Sequence, residues 1–449
     1  KGEPKRDVTV AGSVYVVRAR PYGDLRTWPW FQERGPNPYL LVTGQTEKPW
    51  EAGQLGNWLL FDESKVLLEP LFKFLYPVTY LLYPKTGGVN RLYFLLITLT
   101  TLAVWALFGG AITRMASVQL ARNDKIGMMD ALRFVVARYR SFLSAPIFPL
   151  IFIAFMVVLL FVYGWLFAIP IFGDIFVISW PLVLFAGVAM AVVLVGLVGW
   201  PLMYATISAE GSDSFDAISR SYSYVYQSPW HYAWYSIVAL AYGAVLVFFV
   251  GFMGSMIVYL GKWGVSQTPF IESADLSRDR DPTYLFVWAP ESFGWRSLLL
   301  QGKTINGEPL VVNGQVREDL LTTYESSFRA WNWVGVFLVT VWIYFAFLVV
   351  LGFGYSYFWS ASTIIYLLMR RKVDDTDMDE VYLEEDEAEE SYSSSTTVPA
   401  PAPASTGTAL QMVEAPTLRS TPPPSSSPSA ESLAPASESK TASGDGAKP

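Results

Sequence analysis

"LYFLLITLTTLAVWALFGGAIT", Leu92–Thr113, holds twenty-two residues without a charged side chain, and Arg91 and Arg114 bound it. A helix rises ~1.5 Å per residue, so the run covers ~33 Å and suffices for a ~30 Å hydrocarbon core. The stretch predicts a membrane span. Four further charge-free runs, 147–171, 176–204, 233–261 and 334–369, read the same way. The last is too long for one upright span. It either bends at "LGFGYS" (351–356) or ends as a helix outside the bilayer.

Composition agrees. Of 449 residues, 52% are hydrophobic and 16% charged, against about 25% charged in soluble domains. With no cysteine, disulfides and thiolate metal sites are excluded. The chain opens on Lys1 without a signal-peptide pattern, as a processed or truncated start would.

Basic residues orient the spans. The link after the first span carries Arg114, Arg122, Lys125, Arg133, Arg138 and Arg140, whereas "PIFGD" after the second carries none. Arg370, Arg371 and Lys372 close the last span. The positive-inside rule then places residues 114–146, 205–230 and the C-terminus in the cytoplasm. Residues 1–65 read as a partly β extramembrane region, with turn chemistry in "RGPNPYLLVTG". Residues 66–90 contain Glu69, Lys73, Pro70 and Pro77, and an ionised group at a helix centre costs roughly 2.5–3.5 kcal/mol. That favours an interfacial or re-entrant segment over a span. Residues 262–329 form an extramembrane module with turns at "RDRDP" and "INGEP". From 373 to 449 the chain is acidic, then rich in Pro, Ser and Ala, and reads as a disordered tail suited to a basic partner.

Two of the links resemble each other. "ASVQLARNDKIGMMDALRFVVARYRSFLSAP" (116–146) and "ATISAEGSDSFDAISRSYSYVYQSPW" (205–230) each leave a span and pass a polar turn. Each then carries Asp-Ala before Leu or Ile and runs through Tyr to Pro. Apolar residues recur at helical spacing over 126–143 and 213–228. Asp213 is placed to cap the second helix and Asp216 to suit its first turn. Both segments therefore predict amphipathic helices lying in the membrane interface. The transmembrane core, 91–261, becomes a parallel duplication of span, interfacial helix, span. Many secondary transporters use an inverted repeat instead.

The segment "EGSDSFDAISRSY" (210–222) between two spans resembles the membrane domain attached to some bacterial glycerophosphodiester phosphodiesterases. The catalytic barrel of those enzymes has no counterpart here. The resemblance implies an architecture and no catalytic residue.

Few residues suggest chemistry. His231, the only histidine, has no second His or Cys to complete a metal site, and no Gly-x-Ser-x-Gly turn accompanies it. No phosphate-binding glycine motif occurs. The five runs carry no Asp, Glu, Lys, Arg or His, which argues against ion- or proton-coupled transport. The expectation is an all-α polytopic protein of a bacterial-type inner membrane: a structural, adaptor or membrane-organising protein rather than an enzyme. The alternative is a passive transporter or channel for a lipid-like or small neutral solute. No cofactor and no nucleic-acid partner is expected. Arg133, Arg138, Arg140, Arg220, Tyr222 and Tyr226 are the candidate contacts to lipid or a partner protein.

Overall fold

The computed structural model describes residues 6–10, 13–17, 37–43, 64–83, 86–267, 281–312 and 314–382. The remainder of the 1–65 region, the "RDRDP" turn up to Arg280, and the tail from 383 to 449 lie outside the described residues. Near the start, β1 (Arg6–Val10) and β2 (Ser13–Val17) form an antiparallel hairpin. A short helix follows, α1 (Pro38–Val42), inside the stretch read above as a turn. Asn37 and Pro38 are turn residues, but they also start helices. The Asn37 side chain accepts from the backbone of Tyr39 and Leu40 at 2.9 and 3.2 Å, and Pro38 occupies the first helical position.

Then come α2 (Ser64–Leu67), α3 (Glu69–Leu82), α4 (Gly88–Arg122), α5 (Met128–Ala137), α6 (Tyr139–Phe167), α7 (Phe172–Phe176) and α8 (Trp180–Leu197). They are followed by α9 (Trp200–Glu210), α10 (Ser214–Gln227) and α11 (Pro229–Ser266). Among the described residues, five segments are long and apolar enough to cross a membrane: α4, α6, α7–α8, α11 and α14 (Ala330–Val373, the last helix described). The chain is a multi-pass membrane protein. Helix α14 continues as one helix through "LGFGYS", and its C-terminal part is largely buried from Trp359 to Arg370.

Helix α3 has fourteen residues and rises only ~21 Å, short of a ~30 Å core. It runs against α4 and begins among buried side chains at Glu69, Lys73 and Phe74.

The run 176–204, expected as one span, is two helices. Val198 and Gly199 close tight turns onto Val195 and Gly196 at 3.2 and 3.0 Å. Pro201 has no N–H with which to continue the ladder from Leu197. Beyond the break, ten of the eleven residues of α9 are buried. Around its start Trp105, Trp200 and Trp359 pack together with Phe74 and Tyr204, at centroid separations of 4.8–6.0 Å. Gly109 allows this, since a Cβ there would stand 2.8 Å from Trp359.

The two short helices occupy 128–137 and 214–227, and residues 139–143, expected in the first of them, open α6. Each buries one face within the bundle. Helix α5 buries Ala131, Phe134 and Val135 against α4. Helix α10 buries Ser214, Ala217, Ser221, Tyr224 and Val225 among its helical neighbours, while Phe215 is 66% exposed. Small side chains let helix backbones approach closely, so the serine face turns inward.

At the other end of the spans, residues 281–329 form a small module. It contains the two-residue pairs β3–β4 (Thr304–Ile305 with Glu308–Pro309) and β5–β6 (Val311–Val312 with Gln315–Val316). The helices α12 (Trp295–Leu300) and α13 (Glu318–Ser326) pack with them around Val287, Leu299, Leu310, Leu321 and Tyr324, and Val336 of α14 joins this core.

Candidate functional site

The polar groups of the bundle gather where α9 ends. A helix leaves its last carbonyls without partners, and their partial negative charge attracts cations. Arg114 donates to Ser208 O at 2.7 Å and Arg138 to Gly211 O at 3.2 Å. The backbone N–H of Tyr382 donates to Ala209 O at 2.8 Å. Gly211, at φ +65°, closes the helix in the left-handed region.

Glu210 is the hub. Its Oε1 accepts from Tyr366 Oη at 2.7 Å and Arg220 Nη1 at 2.9 Å, and lies 3.2 Å from Arg370 Nε. Arg220 also reaches Asp216 at 3.2 Å, and Tyr224 donates to Asp374 at 2.5 Å. Burial raises the Glu210 pKa, offset in part by the Tyr366 hydroxyl and the two arginines. For Arg220 burial opposes the charge, yet Glu210 and Asp216 overcome it and hold the pKa above the usual range. Burial and the Asp374 carboxylate push the Tyr224 hydroxyl up.

Residues 374–382, expected to begin the tail, fold back over this end as a strap. Arg370 donates to Glu380 O at 2.5 Å, Val381 is only 4% exposed, and Tyr382 packs on Phe134 and Arg138. A cleft of about 430 Å³ opens beside it, lined by Arg122, Glu210, Ser212, Asp216, Arg220, Arg370 and the strap's last three residues. Opposite charges line it together, so it suits ligands that exchange one ion pair for another. Among the described residues no group of His, Cys, Asp and Glu is placed to hold a metal ion.

The six candidate contact residues separate. Arg133 is at the surface, 79% exposed beside Asp130, and Arg140 is also exposed. Arg138 lies between Phe134 and Tyr382, and Arg220 sits in the Glu210 network. Tyr222 and Tyr226 give their hydroxyls to the carbonyls of Val193 (2.9 Å) and Val192, just before the α8–α9 break. Ser221 and Tyr232 do the same for Gly199 and Val198, at 2.6 and 3.0 Å. The Tyr/Ser-rich segment thus clasps a broken helix. His231 is exposed beside Tyr235.

A second cluster was not foreseen. Glu69, 2% exposed, and Lys73, 6% exposed, pair at 2.5 Å, and Tyr355 of α14 donates to Glu69 at 3.1 Å. The apolar runs of the spans carry no charge, but α3 brings this pair against α14. The i,i+4 spacing of Glu69 and Lys73 was the signal available in sequence.

No protein-family model, no curated protein and no solved structure matches the chain. None of these comparisons supports the likeness of the 210–222 segment to the phosphodiesterase membrane domain.

Proposed function

We propose that the chain is a non-catalytic adaptor or membrane-organising protein of a bacterial-type inner membrane, with the arginine-rich end and the C-terminus in the cytoplasm. The observation carrying this reading is the separation of roles along the bundle. Trp105, Trp200, Trp359, Tyr204 and Phe74 fill the core around α9, and a charged cleft lies at the end of that helix. An aromatic core there supplies no polar lining for a solute, which weighs against the passive channel. A salt-bridged cleft at a membrane surface suits a protein partner or anionic headgroups, and exposed Arg133 and Arg140 add attraction of about 1 kcal/mol each for anionic lipid.

Affinity purification in mild detergent tests it. Stable partners or anionic lipids should co-purify with the wild type and be lost from the Arg133→Glu/Arg140→Glu variant. Flux of a small neutral solute through proteoliposomes, with no retained partner or lipid, would reverse the choice in favour of the channel.

A further inference from the structure

The strap meets the cleft as a bound peptide would. Two acids face arginines: Glu380 lies 3.9 Å from Arg370, and Asp374 lies 3.8 Å from Arg220. An aliphatic side chain, Val381, enters the core beside Tyr224 and Met369. An aromatic one, Tyr382, lies flat on Gly211, where a Cβ would come within 2.8 Å of its ring, and on the Arg138 guanidinium at 4.9 Å. One main-chain hydrogen bond, to Ala209 O, fixes the register. This division of labour, with main-chain bonds for hold and side-chain seats for selection, is that of linear-peptide recognition. The cleft also continues past the strap toward Arg122 and Ser212.

We infer that this surface is a docking site for an acidic linear segment ending in an aliphatic–aromatic pair on a partner protein. Residues Asp374–Tyr382 are its resident ligand in cis. The inference rests on the adaptor reading and names its partner by chemistry. A tether this short gives the strap an effective concentration in about the mM range. A free segment of similar intrinsic affinity therefore binds only when the strap is lifted. Occupancy of the site is set by competition, so the partner must displace the strap or arrive when it is already released.

The test uses the full-length chain in detergent and a fluorescent peptide of the strap's own sequence, DDTDMDEVY, with a scrambled control. Wild-type protein should bind it weakly. Val381→Asp/Tyr382→Ala, or the milder Tyr382→Ala alone, should bind it at least about tenfold more tightly, as expected when a competing anchor is lost. The chain has no cysteine and Ser212 and Tyr382 line the same cleft, so a Ser212→Cys/Tyr382→Cys pair supplies the only two thiols for a lock. Oxidation should abolish peptide binding, and reductant should raise it to the level of the released Tyr382→Ala form. Equal binding to wild type, released and locked forms would show that the peptide sits elsewhere and overturn the inference. So would absence of binding to monodisperse released forms. Partners that co-purify while the peptide fails would leave the adaptor reading intact and remove this one. Peptide binding without any co-purifying partner would have the opposite effect.

Discussion

The ring of Tyr222 lies against the backbone of Gly196, so closely that a Cβ on Gly196 would stand 2.1 Å from Cε1. The two residues join helices on either side of the α8–α9 break, and the Tyr222 hydroxyl reaches Val193 O in the same step. Helix kinks need an identifiable cause and a way to satisfy displaced carbonyls. Here Pro201 supplies the cause and the tyrosine-rich helix the satisfaction.

Gly196→Ala should therefore destabilise the protein by about 1–3 kcal/mol through overpacking. Combining it with Tyr222→Ala should remove the clash and recover part of the loss. Tyr222→Phe should cost only about 1 kcal/mol, the worth of one hydrogen bond. Thermal unfolding in detergent, followed by loss of the monodisperse peak, ranks the variants. Equal stability of Gly196→Ala and wild type would contradict the contact.

The Glu69–Lys73 pair gives a second expectation. Lys73→Met leaves a buried carboxylate facing Tyr355 and should cost about 3–5 kcal/mol, whereas Glu69→Gln/Lys73→Met removes both charges and should come close to wild type. If the double variant were as unstable as the single one, the pair would not be the source of the loss.

Glu210 makes stability depend on pH. Burial raises its folded pKa above the ordinary value of 4.5, so the folded state holds the proton more tightly than the unfolded chain does. Its contribution is fully present below pH 4.5 and is withdrawn as pH rises through the raised folded value. Glu210→Gln cannot titrate, and its melting temperature should change less across that interval. It should also be less stable overall, because buried Arg370 loses its carboxylate. Identical pH profiles for the two proteins would rule Glu210 out as the titrating group.

Asp213 caps α10 by accepting from the Asp216 backbone at 2.9 Å. Asp213→Ala should cost about 1 kcal/mol, read as faster amide exchange confined to the first turn of α10. Exchange unchanged there would mean the cap is dispensable.

Much of the architecture was legible in the amino-acid order, for local reasons. Apolar runs without charge mark helices that lipid can surround, and all five expected runs are mostly helical. Gly211 and Asp213 end one helix and start the next through their own backbone and side-chain chemistry. For residues 205–230 the sequence marked the helix but not the face that the protein would bury. An amphipathic pattern states which residues avoid water, and it is silent on whether lipid or protein takes water's place. The serine side of α10 went inward because Gly196 and Gly199 offered a close backbone surface.

The sequence by itself determined five apolar helices, the basic link after the first of them, and a short helix that carries Glu69 and Lys73. Each follows from hydrophobicity, charge and length within one stretch of chain. Only the tertiary structure decided that α9 is buried and that Glu69 and Lys73 meet Tyr355. It alone decided that Arg370 and Arg220 converge on Glu210, and that residues 374–382 return to cover them. Those outcomes join residues as far as 286 positions apart. They depend on which surfaces can pack without leaving a buried charge or carbonyl unpaired, a condition that no single stretch of sequence contains.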